Sequence, residues 1–228
     1  MNLKFLFLFL CFSCPIAAQN LPETDTQLWT DFSVTKPLVR GQDKNGKEFD
    51  RVSVVFSGTM RFGNHIQAFI DQRVGVGFDL KVNSFLTLTP AYLYRSERPT
   101  LNRRQYESRF RFAATLEKKW IRFSLKDRNL IEYRLRNSRA DSTRYRNRLT
   151  FSYPILKGKK EIFAPYLADE IFYDFSARQW TRNEFSAGIS RKLTKNLTGD
   201  FYYLRQQNRS GTPRALNVIG ISLKIKLD

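Results

Sequence analysis

Apolar and polar residues alternate with a period of two through most of this chain. The pattern predicts β-strands with one apolar and one polar face. Residues 49–62 set Val52, Val54, Phe56, Met60 and Phe62 against Arg51, Ser53, Ser57, Thr59 and Arg61. Residues 104–117 oppose Tyr106, Phe110, Phe112, Ala114 and Leu116 to Glu107, Arg109, Arg111, Thr115 and Glu117. The longest run, 120–136, places Ile121, Phe123, Leu125, Ile131, Tyr133 and Leu135 opposite Arg122, Ser124, Lys126, Arg128, Glu132, Arg134 and Arg136. Tyr145, Leu149, Phe151 and Tyr153 then oppose Arg144, Arg146, Arg148, Thr150 and Ser152. The last segment sets Ile219, Ile221, Leu223, Ile225 and Leu227 against Gly220, Ser222, Lys224 and Lys226. Weaker alternation over 65–79, 85–95, 162–175, 181–192 and 198–207 gives ten strands in all, and 26–34 is a further candidate. After residue 18 there is no convincing 3.6-residue apolar period and no long unbroken apolar run.

The connections fall into two sets. Polar ones lie at 96–103, 137–142, 176–180 and 208–213; shorter ones lie near 80–84, 117–119 and 193–197, with a slightly longer one at 154–161. The sets alternate along the chain, as the outer loops and periplasmic turns of an outer-membrane barrel do. The short turn Phe62-Gly63-Asn64 is the exception. The expected fold is all-β: an antiparallel up-and-down transmembrane β-barrel of about ten strands with both termini on the periplasmic side. The alternative is twelve, using 26–34 and a short strand at 38–42 joined through Asp43-Lys44-Asn45-Gly46. Closure is required because lipid offers no partner to a free backbone N–H or C=O. Tyr92, Tyr94, Trp120, Tyr153, Tyr173, Trp180 and Tyr203 lie near segment ends, where interfacial girdles place aromatic rings. A soluble periplasmic β-domain is the competing fold. It would show the same alternation, but not aromatics opposite so dense a charged face.

The N-terminus carries an address. Lys4 precedes an apolar run over 5–12, and Ile16-Ala17-Ala18 precedes Gln19, the anatomy of a secretory signal peptide cut after Ala18. The run is too short to span a bilayer. Cys11 and Cys14, the only cysteines, lie inside this segment, so the exported chain is expected to hold neither thiol nor disulfide. Lipidation at Cys14 is the alternative, with Cys11 standing where Leu is usual. The organisation is thus a signal peptide over 1–18, an N-terminal segment over 19–48 that offers one or two further strands in the twelve-strand alternative, and a barrel over 49–228.

Charge sharpens the picture. The 228 residues include 39 Lys+Arg against 21 Asp+Glu, a net charge of +18, alongside 20 Phe, 10 Tyr and 3 Trp. That aromatic content excludes a disordered basic tail. Mean hydropathy of −0.45 fits a wall with half its side chains turned into a polar lumen. The candidate lumen and anion-binding residues are Arg109, Arg111, Arg122, Arg128, Glu132, Arg134, Arg136, Arg144, Arg146, Arg148, Glu170 and Arg182. Two readings follow. Arg–Glu networks fill a small barrel as a polar core, or a positive funnel receives small anions and a basic rim meets lipid phosphates.

Chemistry is scarce. His65, the one histidine, sits beside a turn, and position 67, where a barrel phospholipase carries its Ser, is Gln67. Asp169 and Glu170 are adjacent and so face opposite ways. There is no phosphate-cradling glycine loop and no Cys/His cluster, so no enzyme activity, cofactor or metal is expected. Nucleic acid is disfavoured by the strict alternation of the Arg-rich tracts and by the export signal. Expected partners are outer-membrane lipid, with lipopolysaccharide binding as an alternative role, and the barrel-assembly machinery during insertion. The barrel is expected to be a monomer.

Several short motifs occur in order: Trp29 within Gln27-Leu28-Trp29-Thr30-Asp31-Phe32, Tyr92-Leu93-Tyr94-Arg95, Tyr133-Arg134-Leu135-Arg136, Arg144-Tyr145-Arg146-Asn147-Arg148 and Asp169-Glu170-Ile171-Phe172. With them the chain resembles an uncharacterised family of outer-membrane β-barrels, common in Bacteroidetes-type Gram-negative bacteria and known only as a domain of unknown function. The resemblance implies an outer-membrane barrel and brings no activity and no catalytic residues. The chain departs from the usual barrel ending, with Leu227-Asp228 in place of a terminal aromatic.

Overall fold

The computed structural model describes residues 24–42, 46, 48–100, 103–158, 160–211 and 213–228. The signal segment with both cysteines, and residues 43–45 of the foreseen turn, lie outside the described residues. The strands are β1 (Thr24–Gln42), β2 (Glu48–Gly63), β3 (Ala68–Lys81), β4 (Leu86–Thr100), β5 (Arg103–Lys119), β6 (Ser124–Arg136), β7 (Ser142–Ser152), β8 (Ile155–Lys157), β9 (Lys160–Asp174), β10 (Gln179–Lys192), β11 (Leu197–Asn208) and β12 (Ala215–Lys226). All but β8 form one closed wall, each strand beside its sequence neighbour and β12 returning to β1. β8 follows β7 after Tyr153-Pro154 and pairs only with β9. Pro154 has no N–H to give a ladder, so the strand is interrupted there.

The barrel therefore has eleven strands, between the ten and twelve expected. Up-and-down strands alternate in direction, so an odd count makes the first and last point the same way. β1 and β12 accordingly pair in parallel, from Thr24↔Ala215 to Thr35↔Lys226, while the other neighbours are antiparallel. The expected extra strand at 38–42 is the continuation of β1. Its register against β2 shifts between Pro37 and Arg40, and a bulge absorbs the proline. Odd parity also separates the ends of the wall. Thr24 lies at the end carrying the polar connections (upper, below), and Lys226 lies at the opposite, lower end, so the first and last strands begin and end the wall on opposite sides, where an even count would put both on one.

The parallel seam is held from inside. Trp29, Leu204, Leu216 and Val218 form a buried apolar cluster across β1, β11 and β12, with Tyr202 packed against it. Tyr202 lies over Gly220 of β12, where an added Cβ would fall 2.0 Å from the ring. Its hydroxyl donates to Asp31 Oδ2 at 3.1 Å, so β11 grips β1 over the top of β12. At the upper end, Asn64, His65 and Ile66 turn with φ of 52°, 54° and 71°. Asp25 accepts from the backbone N–H of Asn64 (3.1 Å) and His65 (2.9 Å), tying β1 to the β2–β3 turn. The expected turn histidine is exposed there.

The outer wall is apolar. Phe56, Val74, Phe110, Phe112, Ile131 and Phe201 are among the large side chains exposed on it. Aromatic rings meet near both ends. Tyr94 stacks on Tyr106 at 6.2 Å and Tyr173 meets Trp180 edge-on at 5.2 Å above; Trp120 stacks on Phe123 at 4.5 Å, and Phe123 meets Phe151 at 5.7 Å below. From Phe123 to Tyr133 is ten residues, roughly 33 Å of strand at about 3.3 Å each. Tilted by about 40°, this projects to roughly 25 Å, the height of a barrel's lipid-facing band.

The seam has a direct check. Ser33 and Lys224 are register partners on β1 and β12. In a chain with Cys11 and Cys14 changed to Ser, a Ser33→Cys/Lys224→Cys variant should form an intramolecular disulfide on oxidation, seen as a mobility shift on a non-reducing denaturing gel. An antiparallel closure would set Ser33 beside another residue and leave the pair unlinked.

Candidate functional site

The barrel interior is where the alternation places its charges. On β5, Glu107, Arg109 and Arg111 share the inner face; β6 adds Arg128, Glu132 and Arg134, and β7 adds Arg144, Arg146 and Arg148. Antiparallel register sets Arg111 and Arg144 on either side of Glu132, and Arg148 beside Glu170. Glu132 thus meets guanidiniums from both neighbouring strands, and Glu107 from its own strand and both neighbours.

The contacts form a continuous chain around the wall. Asp71 binds Arg73 at 2.6 Å and Arg95 at 2.7 Å, and Arg95 reaches Glu97 at 2.8 Å and Glu107 at 3.6 Å. Glu107 also holds Arg109 at 3.2 Å and accepts a close hydrogen bond from Arg134 Nε. Glu132 pairs closely with Arg144 and lies 3.6 Å from Arg146 and 3.8 Å from both Arg109 and Arg111. Glu170 completes the series with Arg146 at 2.7 Å, Arg128 at 2.9 Å and Arg148 at 3.4 Å. Glu132 is 0% exposed and Glu170 1%, so both have left water and depend on these partners. Nine arginines here face five carboxylates (Asp71, Glu97, Glu107, Glu132, Glu170), leaving four positive charges in excess.

Two aromatic side chains enter this layer. Phe172, 1% exposed, carries the guanidiniums of Arg146, Arg144 and Arg182 at 4.6, 5.1 and 5.5 Å from its ring centroid. Trp29 carries Arg61 at 3.4 Å and donates its indole N–H to Gln27 at 2.8 Å. Such cation–π contacts suit guanidiniums withdrawn from water. Below the layer the interior opens into a cavity of about 280 Å³, lined among others by Ser57, Asp79, Thr89, Thr115, Arg111 and Arg128.

Of the residues singled out in the sequence, Arg109, Glu132, Arg134, Arg144 and Glu170 are buried, and Arg111, Arg128, Arg146, Arg148 and Arg182 are partly so. Arg182 pairs with Glu184 at 3.5 Å. Arg136 sits at the upper rim, its guanidinium on the Ala140 carbonyl and its backbone N–H on Asp141 at 2.9 Å. Arg122 is a correction. It lies in the β5–β6 connection and is exposed, because β6 begins only at Ser124 and alternation stops constraining residues before it. Arg95, Trp29 and Phe172 were missing from the candidate set. Arg95 follows the inward Leu93, which hid the polar face of β4, and Phe172 is an apolar residue in an inward series of Glu170 and Arg182 partners. Among the described residues, no group of three or more His, Cys, Asp or Glu is placed to hold a metal ion.

A family model described as a protein of unknown function, DUF2490, matches residues 26–217. No curated protein matches the chain. Among solved structures, a NanC porin aligns at 12% identity over 78% of this chain and 84% of its own, with a TM-score of 0.46.

The ion-pair layer makes a stability prediction. Glu132→Gln keeps the shape and removes the charge that four arginines face. Breaking a buried pair costs about 3–5 kcal/mol, so the detergent-folded variant should unfold at clearly lower urea than the parent. An unchanged midpoint would mean that Glu132 is not paired as described.

Proposed function

The chain belongs to the DUF2490 family, a family of unknown function, and from that footing we propose that it is an exported outer-membrane barrel whose interior is closed by a basic ion-pair layer. It conducts no solute freely in this state, and the reading includes no catalytic step. The membrane part of the reading is supported by the outer wall. Phe56, Phe110, Phe112 and Phe201 are half exposed or more, where a water-soluble barrel would carry polar groups. The aromatic girdles and the band of roughly 25 Å between them suit a bilayer.

The observation that carries the closed interior is the unbroken series from Asp71 through Glu107 and Glu132 to Glu170, with Phe172 set among its arginines. A wide aqueous pore keeps its lining wet; here the central carboxylates are dry. The arginine excess makes the interior a preferred environment for anions once space is opened.

In planar bilayers the parent protein should show no steady porin-sized conductance. An Arg109→Ala/Phe172→Ala variant should show stepwise conductance with an anion-selective reversal potential in a salt gradient. A parent protein with a steady, cation-selective current would sink the proposal.

The lower cavity favours a second reading, capture of a small anion there by Arg111 and Arg128. Each has a buried Nε with no hydrogen-bond partner among the described residues. Titration calorimetry with inorganic phosphate should give binding that an Arg111→Gln/Arg128→Gln variant loses. Equal binding by both proteins would place the anion elsewhere.

A further inference from the structure

The outer wall carries an exception to its own rule. Reading outward-facing register partners across neighbouring strands gives Asp127, Leu149, Asp169, Phe185, Arg205 and Asn217 on β6, β7, β9, β10, β11 and β12. Three of these ionise, on a face otherwise suited to lipid. Ionisable groups at membrane depth are rare and mark sites that have partners.

Asp127 is satisfied within its own wall. Asn147 donates to it at 2.6 Å and Asn129 at 3.0 Å, and Tyr145 closes the cluster on Asn129. Asp169 differs. It is exposed, receives one carboxamide hydrogen bond from Asn183 at 2.7 Å, and has no cation partner among the described residues. It lies midway along the part of β9 that pairs with β10, from Ala164 to Asp174, far from either rim. Arg205 mirrors it, with its guanidinium on the Asn217 side chain at 2.7 Å and no carboxylate partner among the described residues. Phe185, 46% exposed, stands between the two.

We propose that a second copy of this chain docks on the β9–β11 wall, with the Asp169 side of each copy facing the Arg205 side of the other across Phe185. The proposal rests on the membrane reading, since in water neither charge needs a partner. Two copies inserted the same way round share an axis along the membrane normal. That axis preserves depth and exchanges left for right. A patch with an anion on one side of its axis and a cation on the other is then self-complementary, and the ion pair forms twice. Strand tilt offsets Arg205 from Asp169 in depth by about 6 Å over two strand spacings. The long, flexible stem of Arg205 can span that offset; its guanidinium and the Tyr203 hydroxyl share the Asn217 acceptor, each at 2.7 Å. Leu167, Ile189 and Phe201, exposed around the charges, supply apolar contact. The sequence alone led to a monomer; the wall of the folded barrel favours a pair.

The test uses the full chain in native membranes. A Phe185→Cys variant should give a disulfide-linked dimer on oxidation, where the parent gives none. Adding Asp169→Arg or Arg205→Asp should lower the yield at least tenfold, and the two together should restore it. Should either reversal block folding, Arg205→Gln takes its place with the same expected loss. Each gel is run unheated as well as boiled, so the heat-shifted band reports an intact barrel in every lane. An intact barrel that does not crosslink, or that crosslinks equally after charge reversal, overturns the pair while leaving the membrane reading standing. Loss of the heat-shifted band from membranes of the parent would instead overturn the membrane reading, and the pair with it.

Discussion

A β-wall cannot end in a free edge without leaving a row of N–H and C=O groups unpaired. In this protein that constraint falls on the seam between β1 and β12, where the strands run parallel because their number is odd. Everything else leans on that closure. It fixes which side chains enter the lumen, brings Trp29 under Leu204 and Val218, and gives Tyr202 its route over Gly220 to Asp31. The bulge at Pro37 belongs to the same solution. It lets β1 run on beside β2 after its β12 partner has ended at Lys226.

Closure turns a local rhythm into a desolvated charge layer. Period-two alternation sends every second side chain inward, and on β5, β6 and β7 many of those side chains are Arg or Glu, with Glu170 added from β9. Inside a narrow barrel they cannot remain separately hydrated, so Asp71, Glu107, Glu132 and Glu170 are each shared among two or more guanidiniums. Glu132 faces four, and Arg146 bridges Glu132 and Glu170. Arginine suits this sharing better than lysine because its planar fork presents several donors at once and its faces stack on rings such as Phe172. The layer leaves an excess of positive charge next to the lower cavity, and the proposed preference for anions rests on that imbalance rather than on any one residue.

The same alternation, read outward, isolates Asp169 and Arg205 among apolar neighbours. Interior charges find their partners within the chain. These two find none among the described residues, and their placement on either side of Phe185 is what a two-fold pair requires. On the proposed reading the inner face of this wall serves the closed lumen and the outer face a second copy.

Much of this was legible in the chain itself. The alternation at 104–117 and 120–136 specified strands, the inward placement of Arg109, Glu132 and Arg134, and the apolar outer face, because side-chain direction in a strand is a local property with a fixed period. The aromatic ends at Trp120, Tyr173 and Trp180 marked the band for the same reason. Arg122 was misplaced because alternation continues on paper through a connection that the backbone does not extend. Arg95 and Phe172 escaped notice because each sits in a series of mixed polarity. Only the tertiary structure decided that 26–34 and 38–42 are one strand, that eleven strands close with a parallel pair, and which carboxylate serves which arginine. Those outcomes depend on register between residues far apart in the chain, and a period of two is indifferent to them: it says which way a side chain points, and closure alone says what it meets there.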